Sequence, residues 1–347
     1  MAFITGVFLI DAQAAALNNQ GPISGGRTEN VVGVKRLRVG RNDYPYVSAQ
    51  AFKFWLRATL GAQVPEWQAA PVFREGKVAY TDANPIRWWD DDLFGYMRAP
   101  SKKSDAGERA WVNETPVVTG ITLTRAAPFR VSTLMALAGA GLERDFGVMS
   151  RQEGDPVPFE HEFYRATLKG LFSLNLREAG KFSYVQRTGF LHLDENRQNE
   201  AQEKGLIHDD ERKTYSLPVS ERIDRVRALF EGFSKLEGGA KQGLHYTDVA
   251  PPFAAFAVTR GGNNIFNYLV DAGPDGSPVI KPSRLSMILE DWNDTVLAGP
   301  YIAWAAGYQE RQREEFLASD FAVDSPRSAF DRLIADIDSQ GEPWFET

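Results

Sequence analysis

The run FITGVFLI at residues 3 to 10 constrains this chain more than any other stretch. It is continuously apolar, with β-branched and aromatic members, and so reads as a central strand buried on both faces. A fold built on such a strand must lay packed elements on either side of its sheet. The small-residue AQA that follows is reminiscent of a secretory leader. However, no basic segment precedes the run and Asp11 interrupts it, so a first strand is the expectation. No apolar run approaches the ~20 residues of a membrane span, and we expect a cytoplasmic chain with no membrane partner.

The remaining pattern mixes helices and strands. Strand character returns at 31 to 39, where Leu37 and Val39 alternate with Arg36 and Arg38, giving one apolar and one basic face. Ser48 is placed to cap a helix with Ala51, Phe52, Trp55, Leu56 and Leu60 on one side and Gln50, Lys53 and Arg57 on the other. Strand alternation is expected at Val117, Thr119, Ile121 and Leu123. It is expected again at 164 to 176, where Leu168, Phe172, Leu174 and Leu176 are in phase, and at 182 to 193. The polar stretch 194 to 214 has few apolar anchors and is expected outside the core. A helix is expected at 219 to 236, with Gly238 or Gly239 as its C-cap, then a strand at 253 to 259 and helices at 283 to 297 and 308 to 318. Two irregular segments, 65 to 114 and 131 to 163, read as insertions. Without them the order is near the βαββαβ pattern of an α+β, ferredoxin-like fold.

Charge is distributed unevenly. The chain carries a net −7, yet Arg27 to Arg57 holds seven Lys or Arg against two acids. A generally basic coat for unselective nucleic-acid binding is excluded, so an anionic partner must be met locally. With no cysteine, disulfides, thiolate metal sites and cysteine nucleophiles are excluded too. On charge alone the basic segment would be a solvated face. Its arrangement says more, because a basic strand runs into a helix whose polar stripe is also basic. A helix N-terminus at Ser48 beside Gln50 and Lys53 would make a track for backbone phosphates.

The strings FITGVFLIDAQAAALNN, RTENVVGVKRLRV and especially YPYVSAQAFKFWLR resemble the amino-terminal signature of the DevR-type family of CRISPR-associated proteins, the seventh Cas family within the RAMP superfamily. The match is specific over residues 3 to 60, with fainter support from GDPVPFEHEFY and GGAKQGLHYTDVAPPF. The resemblance implies an RRM-like palm with a fingers-like insertion and a thumb hairpin. It would divide the chain into palm (1–64), fingers (65–114), a palm strand (115–130), thumb (131–163) and the rest of the palm with its C-terminal helices (164–347). The implied role is that of a multi-copy, non-catalytic backbone subunit of type I-B Cascade in antiviral defence. Copies would stack head to tail along a crRNA whose spacer is presented for pairing with target DNA. Implied partners are further copies and the guide 5′-end-capping, guide-processing, large and small subunits. No cofactor and no metal are implied.

Carried over residue by residue, the resemblance places RNA contacts at Asn18, Asn19, Arg27, Lys35, Arg36, Arg38, Ser48, Gln50, Lys53 and Arg57. It adds the Gly-rich loop with Gly238, Gly239, Lys241 and Gln242, where small residues admit RNA backbone and Lys241 supplies charge. In the thumb, Phe146, Val148 and Met149 are candidate wedges between bases. Trp88 and Trp89 are expected in the core of the fingers rather than as stacking platforms.

The alternative is a RAMP-type RNA endonuclease with thumb aspartate chemistry, for which Asp145 and Asp155 are the candidates. Against a metal-assisted version, His161, His192, His208 and His245 are dispersed without ligand spacing, and each is read as structural. A metabolic enzyme with a phosphate pocket is not supported, because the chain lacks G-x-x-x-x-G-K-[ST], H-E-x-x-H and G-x-S-x-G.

Overall fold

The structure is a computed structural model and describes residues 1–75, 77–99, 117, 121–151 and 153–346. Along the chain, the elements that build the site are β1 (Ala2–Ala15), β2 (Asn19–Pro22), β3 (Val31–Val34), β4 (Arg36–Val39), β5 (Asn42–Val47), α1 (Ala49–Gln63), α2 (Trp89–Phe94), β6 (Phe129–Val131), β7 (Leu134–Ala136), β8 (Leu142–Met149), β9 (Val157–Asn175), α3 (Val219–Ser234), β10 (Phe253–Arg260), β11 (Val296–Trp304) and α4 (Pro326–Gln340).

β1 lies at the centre, antiparallel to β9 on one side and to β10 on the other. The large mixed sheet continues through β11 at one end and through β7, β5 and β4 at the other, with β6, β8 and β3 also pairing with β9. The apolar run is indeed covered on both faces. Ile4, Phe8 and Ile10 enter a core shared with Phe52 of α1, Phe230 and Phe233 of α3 and Phe330 of α4. Val7 and Leu9 enter a second core beneath the helices Pro282–Asp291 and Glu310–Leu317, with Leu285 and Phe316. Aromatic rings dominate the first core, the Phe8 ring lying 5.1 Å from Phe52 and 5.2 Å from Phe233. Gly6 is required inside the strand because a Cβ there would sit 2.6 Å from both Phe172 and Phe256.

Several sequence expectations need correction. The strand expected over 31 to 39 breaks at Lys35 into β3 and β4, and the apolar face of β4 is not buried. Leu37 is 46% and Val39 55% exposed, because β4 pairs only with β5 at the sheet edge and has no layer above it. α3 ends at Ser234 with Lys235 as its cap, so neither Gly238 nor Gly239 terminates it. The helix at 283 to 297 stops at Asp291, and Val296 already belongs to β11. Of 182 to 193, only the end of Lys181–Ser183 is strand. The strand expected through Val117, Thr119, Ile121 and Leu123 lies partly outside the described residues, and Leu123–Arg125 pairs with Tyr96–Arg98. α4, capped by Ser325, was not anticipated at all.

The polar stretch 194 to 214 is not peripheral. It holds the helix Glu195–Glu203, whose Arg197 is fully buried. Arg197 is paired with Asp194 at 3.1 Å and donates to the carbonyls of Asp82 and Ala83. Charge pairing here replaces the apolar anchors that the sequence lacks. In the same way the buried Asp92 of α2 pairs with Arg125 and, at 2.7 Å, with Arg225, tying α2 to α3. Trp89 packs edge-on against Trp67 with ring centroids 6.0 Å apart, and Trp88 donates its indole N–H to Asp82 at 2.9 Å, so both serve packing.

Candidate nucleic-acid interface

The predicted contact segments converge on one junction beyond the end of β1. The carbonyl of Asn18 accepts from the Lys35 backbone N–H at 2.8 Å, and its side-chain Oδ1 accepts from the Ser48 N–H at 3.1 Å. One residue earlier, the Leu17 carbonyl accepts from Ala240 N–H at 3.1 Å, which brings in the Gly-rich loop. Ser48 has the extended backbone of an N-cap, and its hydroxyl accepts from Ala51 N–H at 3.3 Å. The other first-turn amides of such a helix lack intrahelical partners.

Within the loop, Gly238 and Gly239 have φ of 151° and 104°, where side chains are strained. A Cβ on Gly238 would collide with the Trp55 ring, so the glycine lets the loop lie flat on α1. Gln242 is an internal brace: its amide bonds the Gly238 and Thr247 carbonyls, and its Oε1 accepts from Thr247 N–H at 2.9 Å. Gln242, one of the contacts the resemblance implied, thus holds the shape of the loop.

The cations divide into two groups. Arg36 pairs with Glu162 at 2.6 Å, Arg38 binds Asp43 through two hydrogen bonds of 2.9 and 3.0 Å, and Arg57 pairs with Asp90 at 2.6 Å while lying over the Phe94 ring. Each is already paired with an acid of the chain, Arg38 at the surface. Arg27, Lys35 and Lys53 have no ion pair among the described residues, and Arg41 joins them. Gln50 is exposed on the α1 stripe, and Asn19 opens β2 with a half-buried side chain. Burial, then the neighbouring Arg57 and Arg130, lowers the Lys53 ammonium to a pKa of about 8. Lys53 thus stands beside two other cations with no ion pair of its own among the described residues.

Arg130 is exposed on β6 and escaped the sequence reading because it reaches Lys53 only through the pairing of β6 with β9. Glu160 and Glu162 escaped it as well. Glu160 accepts from Arg27 N–H at 3.1 Å and Glu162 from Val34 N–H at 3.2 Å, so these buried acids shape the basic segment from β9.

β8 and the first part of β9 form an antiparallel hairpin from Leu142↔Tyr164 to Met149↔Val157. Phe146, Val148 and Met149 are 51%, 48% and 56% exposed along this hairpin. Asp145 faces His161 across the hairpin. The histidines that are scattered in sequence do not all stay apart. His161 and His245 have ring centroids 4.7 Å apart, and His161 Nε2 lies 3.4 Å from Asp145 Oδ2. Burial, then His245, holds the His161 pKa below its usual value. His192 is structural as expected, accepting at Nδ1 from the Ser183 N–H at 2.9 Å, and His208 stacks on Tyr215.

No protein-family model and no curated protein matches the chain. Among solved structures, a chain titled "CRISPR RNA-guided surveillance complex" aligns at 14% identity and a TM-score of 0.47, covering 96% of this chain and 98% of that one. A chain titled "CRISPR RNA-guided surveillance complex, pre-nicking" aligns at 11% identity and a TM-score of 0.49, covering 96% and 99%. Likeness this distant assigns no role to this chain.

Proposed function

We propose that this chain is a non-catalytic backbone subunit of a type I-B, RNA-guided surveillance complex, gripping the guide RNA and repeating along it. The observation that carries the reading is the junction of Asn18, Lys35 and Ser48, from the amino-terminal strings, with the loop at 238 to 242, from the fainter GGAKQG string. Near it stand cations with no ion pair among the described residues, Lys53 and Arg130 beside one another. Phosphates of one RNA strand would thread between the start of α1 and the Gly-rich loop, with Arg27, Lys35 and Lys241 at the margins. The acidic remainder of the chain keeps other surfaces from competing for RNA.

The topology supports the RRM-like palm. β10, β1, β9 and β7 stand in the spatial order fourth, first, third, second, all antiparallel, with α1 and α3 on one face. That is the order of a split βαβ fold. The β8/β9 hairpin is the thumb in this reading, offering Phe146 and Val148 to the next copy or to splayed bases. Target DNA, paired to the guide, and the capping, processing, large and small subunits are the remaining partners.

The test replaces Lys53 and Arg130 with Glu and compares RNA retained by the purified chain. The account expects RNA to be lost with folding intact; retention equal to the parent would show that phosphates bind elsewhere. RNA cleavage is the second reading, favoured by one observation, the placement of Asp145 beside His161 and His245. Metal-dependent cleavage of labelled guide or target RNA, abolished by Asp145→Asn, would establish it in place of the scaffold reading.

A further inference from the structure

Asp145 of β8, His161 of β9 and His245 of the loop after α3 meet where the hairpin leaves the sheet. We propose that they bind one transition-metal dication of the Zn2+ class, tying the hairpin to the loop. One ligand atom from each residue lies within 4.8 Å of the others. The His161 Nε2 to Asp145 Oδ2 separation is 3.4 Å, close to the ~3.3 Å between ligand atoms of a tetrahedron with bonds of about 2 Å.

The second observation is independent of that spacing. His161 is 2% exposed, yet neither of its ring nitrogens has a hydrogen-bond partner, and the buried Nε2 of His245 has none either. The 3.4 Å contact with Asp145 lacks hydrogen-bond geometry. Buried polar atoms are ordinarily satisfied, and three orphaned nitrogens in one cluster mark the place of a missing partner. Each neutral imidazole offers one lone-pair nitrogen, and a metal ion would take one from His161 and one from His245.

The surroundings hold the rings for this task. Phe159 stacks on His161 and Phe163 on His245, with centroids 5.8 and 4.9 Å apart, while the two imidazoles stand at 64° to each other. Two nitrogens and one carboxylate suit Zn2+, Co2+ or Ni2+, whereas Mg2+ and Ca2+ prefer oxygen ligands throughout. The Asp145 side chain is 56% exposed, which leaves an entry path and a fourth position for water. Lys241 lies near enough to oppose positive charge at His161, and the Asp145 carboxylate offsets it. The proposal stands apart from the RNA reading, since it needs only the folded chain.

The full chain, stripped of metal with a chelator and of RNA with nuclease, would be titrated with Co2+ and followed by visible absorption, with bound metal counted by mass spectrometry. The expected result is one Co2+ per chain, displaced by Zn2+ and unaffected by excess Mg2+. Asp145→Asn, at an exposed strand position, and His245→Gln should each weaken binding by more than about tenfold. The metal-free melting temperature of the Asp145 variant should match the parent. No saturable Co2+ spectrum in the parent, or equal binding by parent and both variants, would overturn the proposal.

Discussion

Lys53 shows what a single residue adds to a charge count. Its position on the polar stripe of α1 was legible from spacing alone, but its altered ionisation was not, because that depends on burial and on Arg130 from a distant strand. The folded pKa of about 8 lies below the 10.5 of an ordinary lysine. Between those values the unfolded chain binds more protons, so this group makes stability rise with pH across that window. RNA binding should move the opposite way, since it needs the ammonium form. Affinity measured from pH 7 to 9 should therefore fall in the parent and change less in Lys53→Met, while thermal melts of the parent show no parallel loss. Arg57 looks equivalent in sequence and is not. Removing it in Arg57→Ala strands the buried Asp90 carboxylate and should cost about 1–3 kcal/mol in a denaturant titration. Ser48→Ala should cost about 1 kcal/mol through the lost cap.

Elements were legible where local pattern decides them. The unbroken apolar run announced β1, and helical spacing with an N-cap announced α1. α3 was placed from its apolar positions, but its end was misjudged, because Gly238 and Gly239 answer to close packing against Trp55 and Leu17 rather than to helix termination. The strand β9 was read only from residue 164 onward. Its first part, preceded by Pro156 and containing Pro158, is held extended by β8 and β3, partners that no local signal reveals. The hairpin that results carries its apolar residues outward. Phe146→Asp with Val148→Asp should leave unfolding within about 0.5 kcal/mol of the parent, since both side chains are exposed. If the hairpin engages RNA or a neighbouring copy, the same pair should abolish higher assemblies in analytical ultracentrifugation; unchanged assembly would remove the wedge role.

At the scale of the whole molecule, the sequence pointed to an α+β fold and to a basic segment running from one strand into one helix. What it could not supply was the union of that face with the Gly-rich loop, with Arg130 and with the His161–His245 pair. All of these depend on strand order in a large mixed sheet. Three arginines inside the basic segment are held by acids, so fewer cations face outward than a count suggests. With about four phosphates met per copy, log affinity should fall against log salt with a slope near −3 per subunit, at ~0.7 per phosphate for single strands. The most direct test of the account is co-expression of the chain with a CRISPR array, followed by purification and sequencing of bound RNA. The account predicts repeat-derived guide RNA in a multimeric particle, with RNA lost when Lys53 and Arg130 become Glu. A monomer free of guide RNA would contradict it.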